Sequence, residues 1–366
     1  MRQGTLSTKS SVAAIGRRFS VLRTAISVVI AMIVAFLLIA LVSDTPMRDF
    51  ATFIIGPLQG VNRLSTIVEK LIPLLFTGTA VCIMYSCGQI NLSAEGAFFA
   101  GTYAATAIAI LPNLPAGFHF VLCAVVGAAA GAVICGIPGV LHVKFDVMVV
   151  VSSLMINYIS LYLGLYLILN VLRDPTSGFE ASYPFAKSAR LPVMIPGTRI
   201  HFGLVLGVLA VAAGYMMLYK TKYGYQIRTI GQNRQFARYS GLPVGATIIT
   251  SQLIAGAIAG LGGAAEVLGL YSRFSYSGFT SHGWDGVMLA VLARNNPKSV
   301  PFAALFLAYI RTGADVLNRM SNIPTEVVKI VQAVVIVLVC AEGLLKGSEH
   351  KAIVRQSQRA NLSVEG

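Results

Sequence analysis

Charged residues are scarce in this 366-residue chain. Asp, Glu, Lys and Arg make up 11% of it and hydrophobic residues 56%, whereas a soluble domain carries about 25% charged residues. A chain with so few charges cannot cover a water-exposed surface of ordinary polarity. The composition excludes a soluble globular domain and predicts an all-α polytopic membrane protein, because helices satisfy their own backbone in lipid.

Acidic residues are the rarer of the two charged classes. The chain has 14 Asp and Glu against 28 Lys and Arg, a formal net charge of +14. A nucleic-acid-binding protein would gather its basic residues on one solvated face, but here they lie between apolar runs. The pattern therefore indicates a lipid membrane as the surroundings and no nucleic acid as a partner.

Motifs for catalysis and metal binding are missing. The five cysteines lie in or beside apolar runs, with no CxxC and no histidine at ligand spacing, so they are expected to pack as small apolar side chains. GxxxxGK[ST], GxSxG and HExxH are also absent, so neither a nucleotide hydrolase nor a protease site is supported. We expect no enzyme activity, metal or cofactor in this chain.

Long apolar runs are abundant, and a spanning helix needs about 20 apolar residues. The first run is too long for a signal-peptide core, so it is expected to be a retained span. The eighth covers about half a bilayer at 1.5 Å per residue, so a short span, a half-helix and a re-entrant loop all remain open. The ten predicted spans are 24–42, 71–87, 92–111, 118–138, 147–170, 202–219, 246–269, 285–294, 300–314 and 326–345.

The basic residues also predict the orientation. Most of the 28 fall in segments that are cytoplasmic if both termini are inside, as the positive-inside rule requires. We therefore expect cytoplasmic tails at 1–23 and 346–366, a transmembrane domain at 24–345, and a cytoplasmic segment at 220–245 within it. The stretch 43–70, with an amphipathic run over 50–55, is expected to be an outer-surface helix or a re-entrant piece, and 171–200 is the longest outer loop.

Polar residues inside apolar spans are costly and mark candidate sites. Asn91 and Glu95 are spaced to share the first turn of one helix, which Asn91 or Ser93 can cap. Glu95 either orients that broken helix or contacts a solute. Glu266 either pairs with Arg273 or lines an outward vestibule.

Asp285 follows the only tryptophan, Trp284, which is either an interfacial anchor or part of a path. The stretches 88–99 and 278–289 resemble each other, since each has a polar entry and then an acid followed by glycine. Spans two to five and seven to ten are then related halves of inverted orientation, as in alternating-access transporters. Small-residue runs at 127–131 and 256–260 are expected to let helices approach closely.

Residues 231–241 (GQNRQFARYSG) and 255–263 (AGAIAGLGG) resemble the membrane permeases of ABC importers, in the branch with ribose-type and branched-chain amino-acid-type permeases. Residues 88–96 (GQINLSAEG) and 284–297 (WDGVMLAVLARNNP) are similar to the nucleoside-type members. Trp284, Ala293 and Ser93 stand where that branch usually has Phe, Gly and Gly. The resemblance covers most of the chain from about 69 to 345 and implies a type II ABC importer-like permease.

The resemblance implies a cytoplasmic coupling helix that docks into an ATP-binding subunit, which would hold the ATP and Mg. Its expected contact residues are Gly231, Asn233, Ala237, Arg238 and Gly241. It further implies a second permease subunit, a solute-binding protein and a place in the bacterial plasma (inner) membrane. The expected path or gate residues are Asn91, Glu95, Glu266, Trp284 and Asp285.

The expected solute is a nucleoside. The alternatives within the class are a sugar, a branched-chain amino acid or a flavin. A secondary transporter is the alternative from another class, but it would need a proton- or sodium-coupling site buried at the midplane of the membrane. The acids here lie at predicted span entrances instead.

Overall fold

The computed structural model describes residues 26, 28–112, 114–115, 117–321 and 323–340. In these ranges the regular elements are helices, and β-pairing is limited to two isolated bridges, Arg173 with Ser182 and Val193 with His201. The chain divides into two compact units, Leu58–Tyr309 and the remainder. The predicted tails at 1–23 and 346–366 lie outside the described residues.

The larger unit, Leu58–Tyr309, holds most of the helices. They are α3 (Val61–Ser86), α4 (Ala94–Ala109), α5 (Phe118–Phe145), α6 (Val149–Tyr166), α7 (Gly203–Lys220), α8 (Lys222–Gln232), α9 (Arg234–Tyr239), α10 (Val244–Leu270), α11 (His282–Leu292) and the first half of α12 (Val300–Met320). A single π-helical turn, Leu167–Val171, prolongs α6.

The smaller unit contains α1 (Val28–Val42), α2 (Pro46–Ile55), the rest of α12 and α13 (Thr325–Cys340). The amphipathic run predicted over 50–55 forms the second half of α2. Ser43 Oγ donates to Asp49 Oδ2 at 2.6 Å and ties the start of α2 to the turn before it. Phe53 is buried, and its carbonyl lies against Gly313 of α12, where a side chain would meet it.

Six helices in the described part of the chain are long and apolar enough to cross a membrane: α3, α5, α6 with its π-turn, α7, α10 and Pro297–Met320. Each overlaps most or all of one predicted span. The shorter helices α1, α4, α11 and α13 match the other four predicted spans in position. The chain is therefore a multi-pass helical protein, and the number of ten crossings stays a prediction.

Several predicted helix ends were wrong by more than five residues. α3 begins at Val61 rather than 71, and α5 continues past Pro138 to Phe145 rather than ending at 138. α12 ends at Met320 rather than 314. The predictions ended each span where the apolar run met a charge or a proline, but a helix continues through both when neighbouring elements satisfy its backbone.

The core of the larger unit forms where α10 crosses α4 and α5 through glycines. A side chain at Gly131 of α5 would meet the Gly256 carbonyl of α10, and one at Gly101 of α4 would meet the Gly260 carbonyl. Only residues without a Cβ allow backbones to approach so closely. The predicted close approach of 127–131 and 256–260 is confirmed, since these two runs pack against each other.

We expect Gly260→Ala to lower the free energy of unfolding by about 1–3 kcal/mol, because the added methyl would meet the Gly127 carbonyl in a packed core. Thermal unfolding in detergent measures the loss. Gly178→Ala is the matched control, since no atom lies within 4 Å of a methyl added there. Equal melting temperatures for the two variants would contradict the packing argument.

Candidate functional site

An extended limb, residues 88–93, leads from α3 into α4. The limb begins beside α8, where a Cβ at Gly88 would lie 3.1 Å from Gly231 Cα. α4 ends at Ala109, whose carbonyl accepts from the Ala186 N–H at 2.9 Å. The segment 88–109 therefore runs from the end of the larger unit that carries α8 to the end covered by the 171–200 loop.

A second extended limb, residues 271–281, leads from α10 into α11. It begins beside the 171–200 loop, where the Ser182 N–H donates to the Phe274 carbonyl at 3.0 Å. Beyond α11, the Asn295 carbonyl accepts from Ser86 Oγ at 3.4 Å, next to α8. The segment 271–295 therefore runs opposite to 88–109, as inverted halves require. α11 is a half-helix of about 16 Å at 1.5 Å per residue.

The two discontinuous segments meet at Glu95, which is 1% exposed. One carboxylate oxygen accepts from the Ser281 N–H at 2.7 Å, and the other accepts from the Gly283 N–H at 2.6 Å. Glu95 in the first turn of α4 thus caps the start of α11. A side chain at Gly283 would meet the Glu95 backbone, so α4 and α11 begin side by side. We call this meeting point, formed by Glu95, Ser281 and Gly283, the Glu95 joint. The positive N-terminal ends of both helices lie at the Glu95 carboxylate.

Asn91 lies in the limb before α4 and is fully buried. Its amide donates to Gln252 Oε1 of α10 at 2.9 Å and to the Cys135 carbonyl of α5 at 3.2 Å. Its oxygen accepts from the Ser93 N–H at 2.9 Å. The expected cap of α4 by Asn91 or Ser93 is wrong, because α4 has no side-chain cap and Asn91 is used to hold the limb against α5 and α10.

Glu266 of α10 is 4% exposed and takes part in a buried polar cluster. Its Oε1 lies 3.2 Å from His282 Nε2 and accepts from the Tyr276 hydroxyl at 3.2 Å. The expected pairing of Glu266 with Arg273 is wrong, since Arg273 instead contacts Asp174 at 3.3 Å. Hydrogen bonds from the Thr176 hydroxyl and backbone N–H are the main cause that lowers the pKa of Asp174.

The first turn of α11 has a buried side and an exposed side. Asp285 is 2% exposed, and its Oδ2 lies 3.9 Å from His282 Nδ1. Trp284 is partly exposed and shares one helix face with Met288 and Val291, which are also partly exposed. That apolar face is available to a solute, to lipid or to a second subunit.

The basic segment 220–245 is two helices rather than the one helix predicted over 231–241. α8 ends at Gln232, Asn233 is extended, and its side chain caps α9 by accepting from the Phe236 N–H at 2.9 Å. Gly231 ends α8 against α3, where a side chain would meet the Ser86 carbonyl. An Asn with a strong capping tendency in mid-motif is the sequence signal for this break.

Ala237 is fully buried, and Gly241 has a φ of 76° that suits the turn after α9. Arg238 is exposed. Sequence reasoning missed two exposed aromatic residues of α9, Phe236 at 57% and Tyr239 at 90% exposure. Their signal was available in the motif, because large aromatic residues three apart on a short polar helix have no core to fill.

Sequence reasoning also missed the partners that complete the polar joint, namely Tyr276, His282, Gly283, Gln252 and Asn157. Asn157 of α6 accepts from the Gly96 N–H at 2.8 Å and donates to the Leu92 carbonyl at 3.0 Å. In the described ranges, no group of three His, Cys, Asp or Glu side chains is placed to hold a metal ion.

The chain matches a family model described as "Branched-chain amino acid transport system / permease component" over residues 63–340. It is 34% identical to the guanosine ABC transporter permease protein NupP of Bacillus subtilis (strain 168), over 75% of this chain and 80% of that protein. It is 30% identical to the glucose ABC transporter permease protein TsgB13 of Haloferax volcanii, over 84% of each.

A third relative is the nucleoside ABC transporter permease protein NupB of Lactococcus lactis subsp. cremoris (strain MG1363), 27% identical over 88% of this chain and 92% of that protein. The family match covers both discontinuous segments, the Glu95 joint and α8 to α9. The chain belongs to the family of ABC transporter permeases that includes the permease components of branched-chain amino acid transport systems.

Proposed function

We propose that this chain is the transmembrane permease subunit of an ATP-driven importer and that its solute is a nucleoside. The observation that carries the proposal is the Glu95 joint, where the oppositely directed helices α4 and α11 start together inside a helical core. Such paired discontinuous helices surround midplane sites in alternating-access transporters. The similarity to a guanosine permease supports the choice of solute.

The proposed partners follow from the position of α8 and α9. Two ATP-binding subunits, which hold ATP and Mg, would dock on α9 around Phe236 and Tyr239, both exposed. Ala237 and Gly231 would set the position of that surface by packing inward, while Asn233, Arg238 and Gly241 shape and flank α9. A second permease subunit and a solute-binding protein at the 171–200 loop end complete the importer.

The proposed path runs beside the joint. Trp284 would face the solute from the exposed side of α11, while Asp285 and Glu266 supply buried polar groups next to it. Glu95 and Asn91 would hold the two limbs that must shift as the path opens and closes. The distribution of the basic residues supports the further proposal that both termini lie in the cytoplasm of a bacterial cell and that the chain lies in its plasma membrane.

Uptake measurements test the solute. We expect cells that express this chain with its partners to accumulate labelled guanosine, and cells lacking it to lose most of that uptake. Excess unlabelled nucleosides should compete, whereas excess glucose should not. Uptake of labelled glucose but not of labelled guanosine would instead favour a sugar, for which the 30% identical glucose permease is the supporting observation.

A further inference from the structure

Two buried polar atoms near the last turns of α10 have no hydrogen-bond partner among the described residues. They are Oε2 of Glu266 and Nε2 of His201. Glu266 is 4% exposed and His201 is fully buried. An unpaired buried polar group costs about 1–3 kcal/mol, more for a charged one, so such groups are rare in native proteins.

The two atoms have complementary hydrogen-bonding roles. His201 Nδ1 accepts from the Gly203 N–H at 3.2 Å, which assigns the proton of the neutral ring to Nε2. Burial lowers the pKa of His201 to about 4, although the Glu266 charge acts in the opposite direction, so the ring is neutral near pH 7. Nε2 is therefore a donor, and the free carboxylate oxygen of Glu266 is an acceptor.

The His201 ring packs against the face of α10 that carries Glu266. A side chain at Gly269, one turn after Glu266, would meet the His201 ring, so the imidazole lies directly on the helix there. The Leu191 N–H donates to the neighbouring Leu268 carbonyl at 3.1 Å, which places this turn beside the 171–200 loop. Both unpaired atoms thus lie at the end of the unit where an imported solute would enter.

We propose that Glu266 Oε2 and His201 Nε2 bind a hydroxyl group of the transported solute, which, resting on the proposed function, is a ribose hydroxyl of a nucleoside. A hydroxyl donates one hydrogen bond and accepts others, so it offers the donor that Glu266 Oε2 lacks and the acceptor that His201 Nε2 lacks. Tyr276 and Tyr271, whose rings pack edge to face at 5.1 Å, provide an aromatic wall beside Glu266. Such a wall suits the apolar face of a sugar or base.

The test is a comparison of guanosine with 2′,3′-dideoxyguanosine as competitors of labelled guanosine uptake. In the wild type, we expect the dideoxy compound to compete less well. Glu266→Gln and His201→Asn should each reduce that preference by about tenfold, since each removes one partner of the hydroxyl. Asn keeps an acceptor for the Gly203 N–H, so His201→Asn removes mainly the Nε2 donor.

The ratio of the inhibition by guanosine to the inhibition by 2′,3′-dideoxyguanosine distinguishes residues that bind the solute hydroxyl from residues with only a structural role. Selection by the solute-binding protein is the same for the wild type and all variants, so it does not contribute to differences in this ratio between them. Asp146→Asn, which replaces an exposed carboxylate just after α5, should keep the wild-type ratio. If Glu266→Gln does not reach the membrane, His201→Asn decides. Guanosine uptake with an unchanged ratio overturns the hydroxyl site alone, and the absence of all nucleoside uptake in the wild type overturns the proposed function with it.

Discussion

Replacing Glu95 with glutamine should reduce solute uptake by at least about tenfold while the chain still inserts in the membrane. Both carboxylate oxygens accept from backbone N–H groups of the turn that starts α11, at 2.7 and 2.6 Å. A glutamine amide has only one oxygen, so its NH₂ group would oppose one of these donors. Each hydrogen bond to a buried charge is worth about 1.5–3 kcal/mol, enough to release the start of α11.

Glu326→Gln is the matched control for Glu95→Gln. Glu326 is also an acid in the first turn of a helix, but it is exposed, so its loss costs α13 only a small interaction with the helix dipole. Uptake of labelled guanosine is measured at equal membrane abundance. Wild-type uptake by Glu95→Gln would show that transport does not need the carboxylate at the joint.

The sequence predicted the two related segments, but not that they meet or how they contact each other. The shortness of 285–294 and the likeness of 88–99 to 278–289 indicated two related discontinuous segments. Glu95 was expected either to orient its own helix or to contact a solute, and the structure shows it bound to backbone groups about one half of the chain away. Local spacing cannot reveal such a partner, because the contact depends on how two distant limbs meet in space.

In the basic segment 220–245, too, the sequence predicted the helical structure but not the contacts of its residues. Charge and motif predicted a helical segment between α7 and α10, and the structure has helices there. The small residues were expected to set the fit to a partner. In the structure Ala237 is fully buried within this chain, and Gly231 packs against the Ser86 carbonyl. A small residue looks the same in the sequence whether it packs within the chain or contacts a partner, so only the fold distinguishes these two roles.

The positions of α8 and the joint suggest how a signal could pass between them. Gly231 lies against the Ser86 carbonyl, and Ser86 Oγ, which donates to the Cys82 carbonyl at 2.7 Å, also lies 3.4 Å from the Asn295 carbonyl oxygen just beyond α11. α11 then leads directly back to Glu95. A displacement of α8 would therefore reach the joint through close backbone contacts and one short helix, which is a compact route for coupling.

Replacing both Phe236 and Tyr239 with alanine should lower solute-stimulated ATP hydrolysis by about 30-fold or more. The two side chains are 57% and 90% exposed on α9, where they contribute little to this chain's own core. Aromatic residues dominate the energy of protein interfaces, and each loss at a buried hot spot costs about 2 kcal/mol or more. The measurement is ATP hydrolysis by the reconstituted importer with and without its solute-binding protein and solute.

Two further variants separate docking from folding. Tyr162→Ala removes an exposed tyrosine of α6, 66% exposed, and should leave the stimulation unchanged. Ala237→Leu should abolish the stimulation of ATP hydrolysis for a different reason. A larger side chain at this fully buried position would displace α9 from the rest of the chain. Normal stimulation in the double alanine variant, together with loss in Ala237→Leu, would assign docking to the placement of α9 and not to its two aromatic side chains.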